Sequence, residues 1–303
     1  MKIGMVGLGR MGGNMARRIA RSGLDVVAWD RAAGARAGLA GEARVQTVDT
    51  LEALVEALEG PRVLWLMLPA GTPTEETVQY LSARLASGDV LVDGANAWYR
   101  DTLRRADSLS AQGIDFVDAG VSGGVWGLEN GYGIMVGGPP EAVRRLQPFL
   151  EVLAPAPDRG WLHCGGAGSG HYSKMVHNGI EYGLMQAYAE GFALLRARQE
   201  LQLDVAKIAE SWRHGTVIRS WLLDLSAQIL AEDDSLASVA PLVADSGEGR
   251  WAATEAIELG VPAPVMAVSL MERFASQGKA DYKNRLLARM RQAFGGHAVK
   301  RAR

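Results

Sequence analysis

Short apolar runs alternate with amphipathic stretches along the first half of the chain, and each pattern predicts a different element. Residues 2–6, 25–29, 62–68, 89–92, 114–117, 132–136 and 161–163 read as strands. Most are continuously rich in Val, Ile and Leu, the pattern of parallel strands buried on both faces. Helical periodicity fills the intervals. Asp49-Thr50-Leu51-Glu52 and Thr72-Pro73-Thr74-Glu75 look like helix starts, with Thr as the N-cap, Glu reaching back and, in the second, Pro in the first turn. Strand alternating with helix predicts an α/β domain with a doubly wound, mostly parallel sheet.

The pattern changes after Cys164. Gly165-Gly166-Ala167-Gly168-Ser169-Gly170 is a flexible stretch, and beyond it residues 170–198, 205–212, 216–230, 250–259, 263–277 and 283–294 read as helices with no strand among them. The expected organisation is an α/β domain over 1–165 and an all-helical domain over 166–303. A length of 303 residues fits two domains.

Composition narrows the function classes. Lys and Arg total 32 against 34 Asp and Glu, a net charge of −2, which excludes a fold-wide basic field for nucleic acid or an anionic membrane. The longest strongly apolar stretch, residues 63–68, is far too short to span a bilayer, and Met1-Lys2-Ile3-Gly4-Met5 lacks the apolar core of a signal peptide. The single cysteine, Cys164, makes neither an intramolecular disulfide nor a multi-thiolate metal site; it reads as inert core in a cytoplasmic protein. No His, Cys, Asp and Glu cluster has metal-ligand spacing, so no metal is expected.

Gly7-Leu8-Gly9-Arg10-Met11-Gly12 follows the first predicted strand and opens the first helix. Its glycines suit a tight turn, close approach of backbone to a pyrophosphate, and close helix–strand packing. The helix N-terminus offers unpaired N–H groups to phosphate. Such a pattern alone could be an ordinary glycine turn. Here a second strand ends in Asp30, 18 residues past Gly12, near the roughly 20 expected for a ribose-binding acid. A carboxylate there accepts the ribose hydroxyls of NAD and repels the 2′-phosphate of NADP, while Arg31 keeps NADP as the alternative.

The segment Lys174-Met175-Val176-His177-Asn178-Gly179-Ile180-Glu181-Tyr182 concentrates the chemistry. At helical spacing Lys174, His177, Asn178, Glu181 and Tyr182 share an arc of about 140°, with Val176, Ile180, Leu184 and Ala187 opposite. A solvated polar face would carry many charges, yet between His171 and Tyr188 only Lys174 and Glu181 are charged. They stand seven residues apart, about 10.5 Å along the axis, which is too far for a surface i,i+4 pair. The expectation is a nearly buried helix whose Lys and Glu face one cleft as an acid–base pair.

These residues resemble the 6-phosphogluconate dehydrogenase family of the β-hydroxyacid dehydrogenase superfamily, in its short bacterial form. The resemblance covers essentially the whole chain. It is carried by Gly7 to Gly12, Asp93-Gly94-Ala95-Asn96, Tyr99-Arg100-Asp101-Thr102, Val121-Ser122-Gly123-Gly124 and, most specifically, Lys174 to Tyr182. It implies a Rossmann domain, a helical substrate and oligomerisation domain, and a homodimer or homotetramer with a shared active site. By position, Lys174 is implied as base and Glu181 as acid. Asn96, Ser122, Gly123, Gly124, His177 and Asn178 would hold the substrate's carboxylate and hydroxyls. Tyr182 and Arg273 would hold its phosphate, with Arg291 and His297 supplied by a neighbouring subunit. Leu68, Pro69 and Ala70 match the loop beside the cofactor, alongside Gly7, Leu8, Gly9, Arg10, Met11, Gly12, Asp30, Arg31 and Asn96. Asp30-Arg31-Ala32 replaces the Asn-Arg-Thr of NADP-using relatives, which favours NAD. Ser246-Gly247-Glu248-Gly249-Arg250 is shorter than the family's loop and lacks its phosphate-binding lysine, leaving Arg250 as the candidate replacement.

The implied reaction is oxidative decarboxylation of 6-phosphogluconate to ribulose 5-phosphate with reduction of NAD, in the pentose phosphate pathway. Two alternatives remain at this stage. One is a non-decarboxylating dehydrogenase of a small 3-hydroxyacid, which has no use for phosphate-binding Arg273, Arg291 and His297. The other is a dinucleotide-binding sensor without turnover, which has no use for paired Lys174 and Glu181.

Overall fold

The computed structural model describes residues 1–300; the last three residues of the expected 166–303 domain lie outside the described residues. By internal contacts the chain forms two compact units, Met1–Met175 and the residues from Val176 onward.

The first unit is built on one eight-stranded sheet ordered β3-β2-β1-β4-β5-β6-β7-β8. Its strands are β1 (Lys2–Val6), β2 (Asp25–Trp29), β3 (Val45–Thr47), β4 (Val63–Leu66), β5 (Val90–Asp93), β6 (Asp115–Ser122), β7 (Gly133–Gly137) and β8 (Trp161–Gly165). All neighbouring pairs are parallel except β6 with β7. Residues alternate between two cores. Val26, Ala28, Trp65 and Val92 face one side, with Met15 and Ile19 of α1 (Arg10–Arg21) and Phe149 of α7 (Pro140–Leu153). Val27, Leu64, Leu66 and Leu91 face the other, with Leu54 of α3 (Leu51–Glu56), Leu81 of α4 (Thr72–Ser82) and Leu109 of α5 (Tyr99–Ser110). Burial on both faces explains the continuous apolar runs. Short helices α2 (Ala33–Ala37) and α6 (Gly127–Asn130) complete the connections.

Strand β3 was invisible in the sequence because it is three residues long and only half-buried at Val45 and Thr47. The helix starts differ from each other. Thr50 caps α3, its hydroxyl accepting from the Ala53 N–H. Thr72 does not cap α4: Gly71, at φ 88°, precedes the helix, and Thr74 instead donates to the Pro69 carbonyl at 2.8 Å. Cys164 is not core either. It is half-buried on β8, the terminal strand of the sheet.

The division between the units falls inside α8 (Ser169–Ala197). The remaining helices are α9 (Val205–Trp212), α10 (Trp221–Glu232), α11 (Glu248–Glu258), α12 (Pro264–Phe274) and α13 (Asp281–Gly295). Helix α10 starts later than periodicity predicts because Ser220 caps it, accepting from the Leu223 N–H. Helix α12 ends earlier, running into a wide turn over Ala275–Lys279 in which Gly278 adopts φ 76°. Among the described residues no helix is long and apolar enough to cross a membrane.

Candidate active site

In the first unit the C-terminal ends of β1, β4, β5 and β6 open onto a cavity of about 580 Å³. It is lined by Gly9, Arg10, Met11 and Gly12, by Leu68, Pro69 and Ala70, by Asn96, and by Gly124. The glycines have distinct constraints. Gly7 sits at φ 90°, and a Cβ on Gly12 would stand 2.0 Å from the Gly7 carbonyl oxygen. Gly9 has nothing within 4 Å of its Cβ position, so its backbone faces open space. Helix α1 begins with no side-chain cap and no acid in its first turn. Uncapped N–H groups at a positive dipole end, bordered by bare backbone, fit the pyrophosphate of a dinucleotide.

Asp30 is tied to that loop. Its Oδ2 accepts from the Leu8 N–H at 2.7 Å and its Oδ1 from the Ala32 N–H at 2.8 Å. The carboxylate therefore shapes the glycine loop. Arg31 beside it is exposed.

Ser122 ends β6, and Gly123 and Gly124 follow it at φ 131° and 54°, conformations that suit only glycine without strain. On α8, Lys174 is 5% exposed. It lies directly against β6: a Cβ on Gly120 would stand 2.3 Å from the Lys174 Cβ. The helix start is held by Asp118, whose two carboxylate oxygens accept from the Gly168 and His171 N–H groups at 2.7 Å each. Burial pushes the Asp118 carboxyl up, with His171 opposing that shift. Sequence reading passed over Asp118 and His171. The available signal was an acid inside the apolar run Phe116-Val117-Asp118-Ala119.

Further along α8, Asn178 is buried, and its Oδ1 lies 3.0 Å from His177 Nδ1. The Glu181 carboxylate stands 3.8 Å from the same His177 nitrogen, and both side chains are half-exposed. The expectation of a nearly buried helix fails. Ile180 is 54% and Leu184 45% exposed, while Lys174, Asn178 and Tyr182 are buried.

Within the second unit, Arg273 stacks on Tyr182 with its guanidinium carbon 3.5 Å from the ring centre. It also donates to the Ala244 carbonyl at 2.9 Å. The Tyr182 hydroxyl lies 3.4 Å from Ser246 Oγ, so Tyr182, Arg273 and the turn that leads into α11 are brought together; Glu248, Gly249 and Arg250 of the expected short loop form the first turn of that helix. Arg250 is engaged elsewhere, paired with Asp245 and stacked on Phe274. Arg291 and His297 are exposed, on and just beyond α13, a helix that buries none of its residues. Among the described residues no group of three or more His, Cys, Asp or Glu could hold a metal ion.

A parallel sheet whose first six strands run 3-2-1-4-5-6, with a glycine-rich β1–α1 turn and an acid ending β2, defines a Rossmann-type dinucleotide-binding fold. Residues 2–165 match the NAD binding domain of 6-phosphogluconate dehydrogenase, and residues 170–301 match the 6-phosphogluconate dehydrogenase C-terminal domain. The chain belongs to the 6-phosphogluconate dehydrogenase family. It is 43% identical over 302 residues to a Haloferax volcanii protein named 6-phosphogluconate dehydrogenase, NAD(+)-dependent, decarboxylating, with 99% of each chain covered. A Bacillus subtilis relative, named as the NADP(+)-dependent decarboxylating enzyme, is 36% identical over 293 residues, covering 92% of this chain and 62% of that one. The solved Plasmodium falciparum 6-phosphogluconate dehydrogenase, described in complexes with NADP+ and with 6-phosphogluconate, superimposes with a TM-score of 0.85 at 28% identity. That match covers 100% of this chain and 66% of the other, so this chain spans about two thirds of the two longer proteins.

Proposed function

We propose that the chain catalyses oxidative decarboxylation of 6-phosphogluconate to ribulose 5-phosphate and carbon dioxide, with NAD preferred over NADP. The observation that carries this reading is Lys174, buried on α8 against Gly120, on the strand that ends at Ser122. The full-length match to a relative named as an NAD(+)-dependent decarboxylating enzyme supports it. Relatives are named with both cofactors, so the NAD preference rests on Asp30, whose charge opposes a 2′-phosphate.

When bound, nicotinamide supplies the hydride acceptor at C3 of the substrate. Lys174, in its neutral form, takes the proton from the C3 hydroxyl as the hydride leaves. The resulting ketone accepts the electron pair when the carboxylate departs as carbon dioxide, and the Lys174 ammonium stabilises the developing oxyanion. Glu181 then gives a proton to C1 of the enediol. Asn96, Ser122, Gly123, Gly124, His177 and Asn178 hold the carboxylate and hydroxyls, and Tyr182 with Arg273 holds the phosphate. The Arg273–Tyr182 stack pre-orders a guanidinium fork suited to phosphate oxygens.

The functional division of the chain follows 1–165 for the dinucleotide and 166–303 for substrate and assembly, in a cytoplasmic enzyme. The assembly is a homodimer or homotetramer. Apolar side chains left open on α8, α12 and α13, among them Ile180, Val265 and Phe294 at 54%, 67% and 79% exposure, support a second copy covering them. Arg291 and His297 would then reach the neighbouring subunit's substrate.

The test is purified protein with 6-phosphogluconate and each of NAD and NADP, following reduced cofactor and carbon dioxide together. Reduction without carbon dioxide would replace the decarboxylase reading by a 3-hydroxyacid dehydrogenase. Lys174→Ala should lower the rate roughly 10²–10⁴-fold while dinucleotide affinity stays near the parent's.

A further inference from the structure

The cavity at the C-terminal edge of the sheet has two opposing walls, Leu68–Pro69–Ala70 after β4 and Gly94–Ala95–Asn96 after β5. A chain of polar contacts, buried except at the half-exposed Glu75, runs between them underneath. It starts at the Ala95 N–H, which donates to Asp93 Oδ1 at 3.0 Å. The other oxygen of Asp93 accepts from Arg105 Nη1 at 3.0 Å. Arg105, on α5, uses its Nε to reach Glu75 Oε2 at 2.8 Å. Glu75 lies in the first turn of α4, and its neighbour Thr74 donates to the Pro69 carbonyl at 2.8 Å. Thr74 and Asp93 are fully buried and Arg105 is 3% exposed. Arg104 adds a two-pronged contact to Glu75 at 2.7 and 2.9 Å from the surface side.

We infer that Arg105 is a positioning residue that locks the two walls of the dinucleotide cavity together, so that Asn96 and the Leu68–Ala70 loop keep a fixed separation. Stability alone is a poor reason for this arrangement. A buried ion pair gives up much of its attraction to desolvation, and an apolar side chain of similar volume would often stabilise as well. What an apolar side chain lacks is direction. One guanidinium satisfies two carboxylates on two elements, and each carboxylate or its neighbour holds the backbone of one wall. The walls have little freedom otherwise. A Cβ on Gly94 would stand 2.4 Å from Trp65 Nε1 and 2.6 Å from Met67 Sδ, so the 94–96 turn is pressed onto β4 and its exit. A displacement of about 1 Å between reacting groups can cost on the order of 100-fold in rate, which makes this separation worth fixing.

The inference rests on the dinucleotide reading of the cavity, and its test separates the two. Full-length Arg105→Ala, Arg105→Lys and Glu75→Gln chains are compared with the parent by NADH titration, steady-state kinetics and amide hydrogen exchange. With Arg105→Ala, exchange at Met67, whose N–H is bonded to the Val6 carbonyl where the first wall begins, and at Ala95 should quicken about tenfold while the rest of β1 and β4 stays protected. Its kcat should fall roughly 10–100-fold with dinucleotide affinity changed by less than about fivefold. Methylguanidine, which refills the space between the carboxylates, should recover part of that rate, and Arg105→Lys should fall between. Should Arg105→Ala fail to fold, Glu75→Gln decides the matter, since it keeps shape and the Asp93–Arg105 pair yet should still quicken exchange at Met67. Unchanged exchange at both walls, or kcat within twofold of the parent, overturns the inference. A parent chain that binds no NADH removes the dinucleotide reading instead, and the exchange measurement, which needs no nucleotide, still judges the coupling.

Discussion

Gly120 on β6 and Lys174 on α8 meet backbone to side-chain stem, so closely that a Cβ on Gly120 would lie 2.3 Å from Lys174 Cβ and 2.9 Å from its Cγ. The Gly170 carbonyl, 3.1 Å from the same point, closes the sideways escape. Gly120→Ala must therefore shift the strand or the helix. We expect destabilisation of roughly 1–3 kcal/mol and a fall in kcat of about 10²-fold, with NADH affinity nearly unchanged. Thermal unfolding, kinetics and NADH titration check this together. A fully active variant would mean that this contact does not place Lys174.

Asp30→Asn tests the cofactor preference. The substitution removes a charge that opposes a 2′-phosphate and also turns one acceptor into a donor. Because Asp30 accepts from both the Leu8 and Ala32 N–H groups, the loop loses about 1 kcal/mol of hydrogen bonding. Both nucleotides should bind less well, NAD more so. The ratio of kcat/KM for NAD over NADP should move toward NADP by about tenfold or more. A ratio that does not move shows that Asp30 serves the loop and not the ribose.

The C-terminal segment gives a test of shared sites. Removing residues from Met290 onward deletes Arg291 and His297 and should raise the KM for 6-phosphogluconate strongly while NADH binding is kept. Hybrids sharpen the point. Lys174→Ala chains and Arg291→Ala chains, inactive apart, should regain activity when co-assembled, since some sites then combine intact residues from both. Verified hybrids without activity would confine the segment to its own subunit.

Acid should loosen the first unit through Glu75. Hydrogen bonds from Arg104, and then Arg105, outweigh burial and hold its carboxyl at about 2, against 4.5 ordinarily. A carboxyl depressed in the folded state stabilises fully above 4.5, and that contribution fades as pH falls from 4.5 toward 2. Glu75→Gln should therefore show a shallower decline of Tm across that interval than the parent. Parallel curves would mean that Glu75 is not part of the acid response.

Much of this protein was written locally, and local patterns survive in the sequence. The apolar runs of β1 and β2, the glycines between Gly7 and Gly12, the acid at Asp30 and the Lys174–Tyr182 repeat each depend on neighbours a few residues away. Their spacing therefore announced a dinucleotide-binding sheet, a helical second half and a helix that gathers Lys174, His177, Asn178, Glu181 and Tyr182 on one arc. Tertiary structure decided what depends on distant partners. Thr74 turned from the predicted capping region to the Pro69 carbonyl because Gly71 had already set the turn. Helix α8 buried Lys174, Asn178 and Tyr182 of its polar arc and left Ile180 and Leu184 open, an outcome that periodicity cannot register, since it reports which residues share a face and not what the face meets. Arg105 shows the limit most plainly: in sequence it is one of two adjacent arginines on an amphipathic helix. Only the packing of α4 and α5 beside β5 brings Glu75 and Asp93 to its two sides, 30 and 12 residues away, and buries its own charge so that it must find partners.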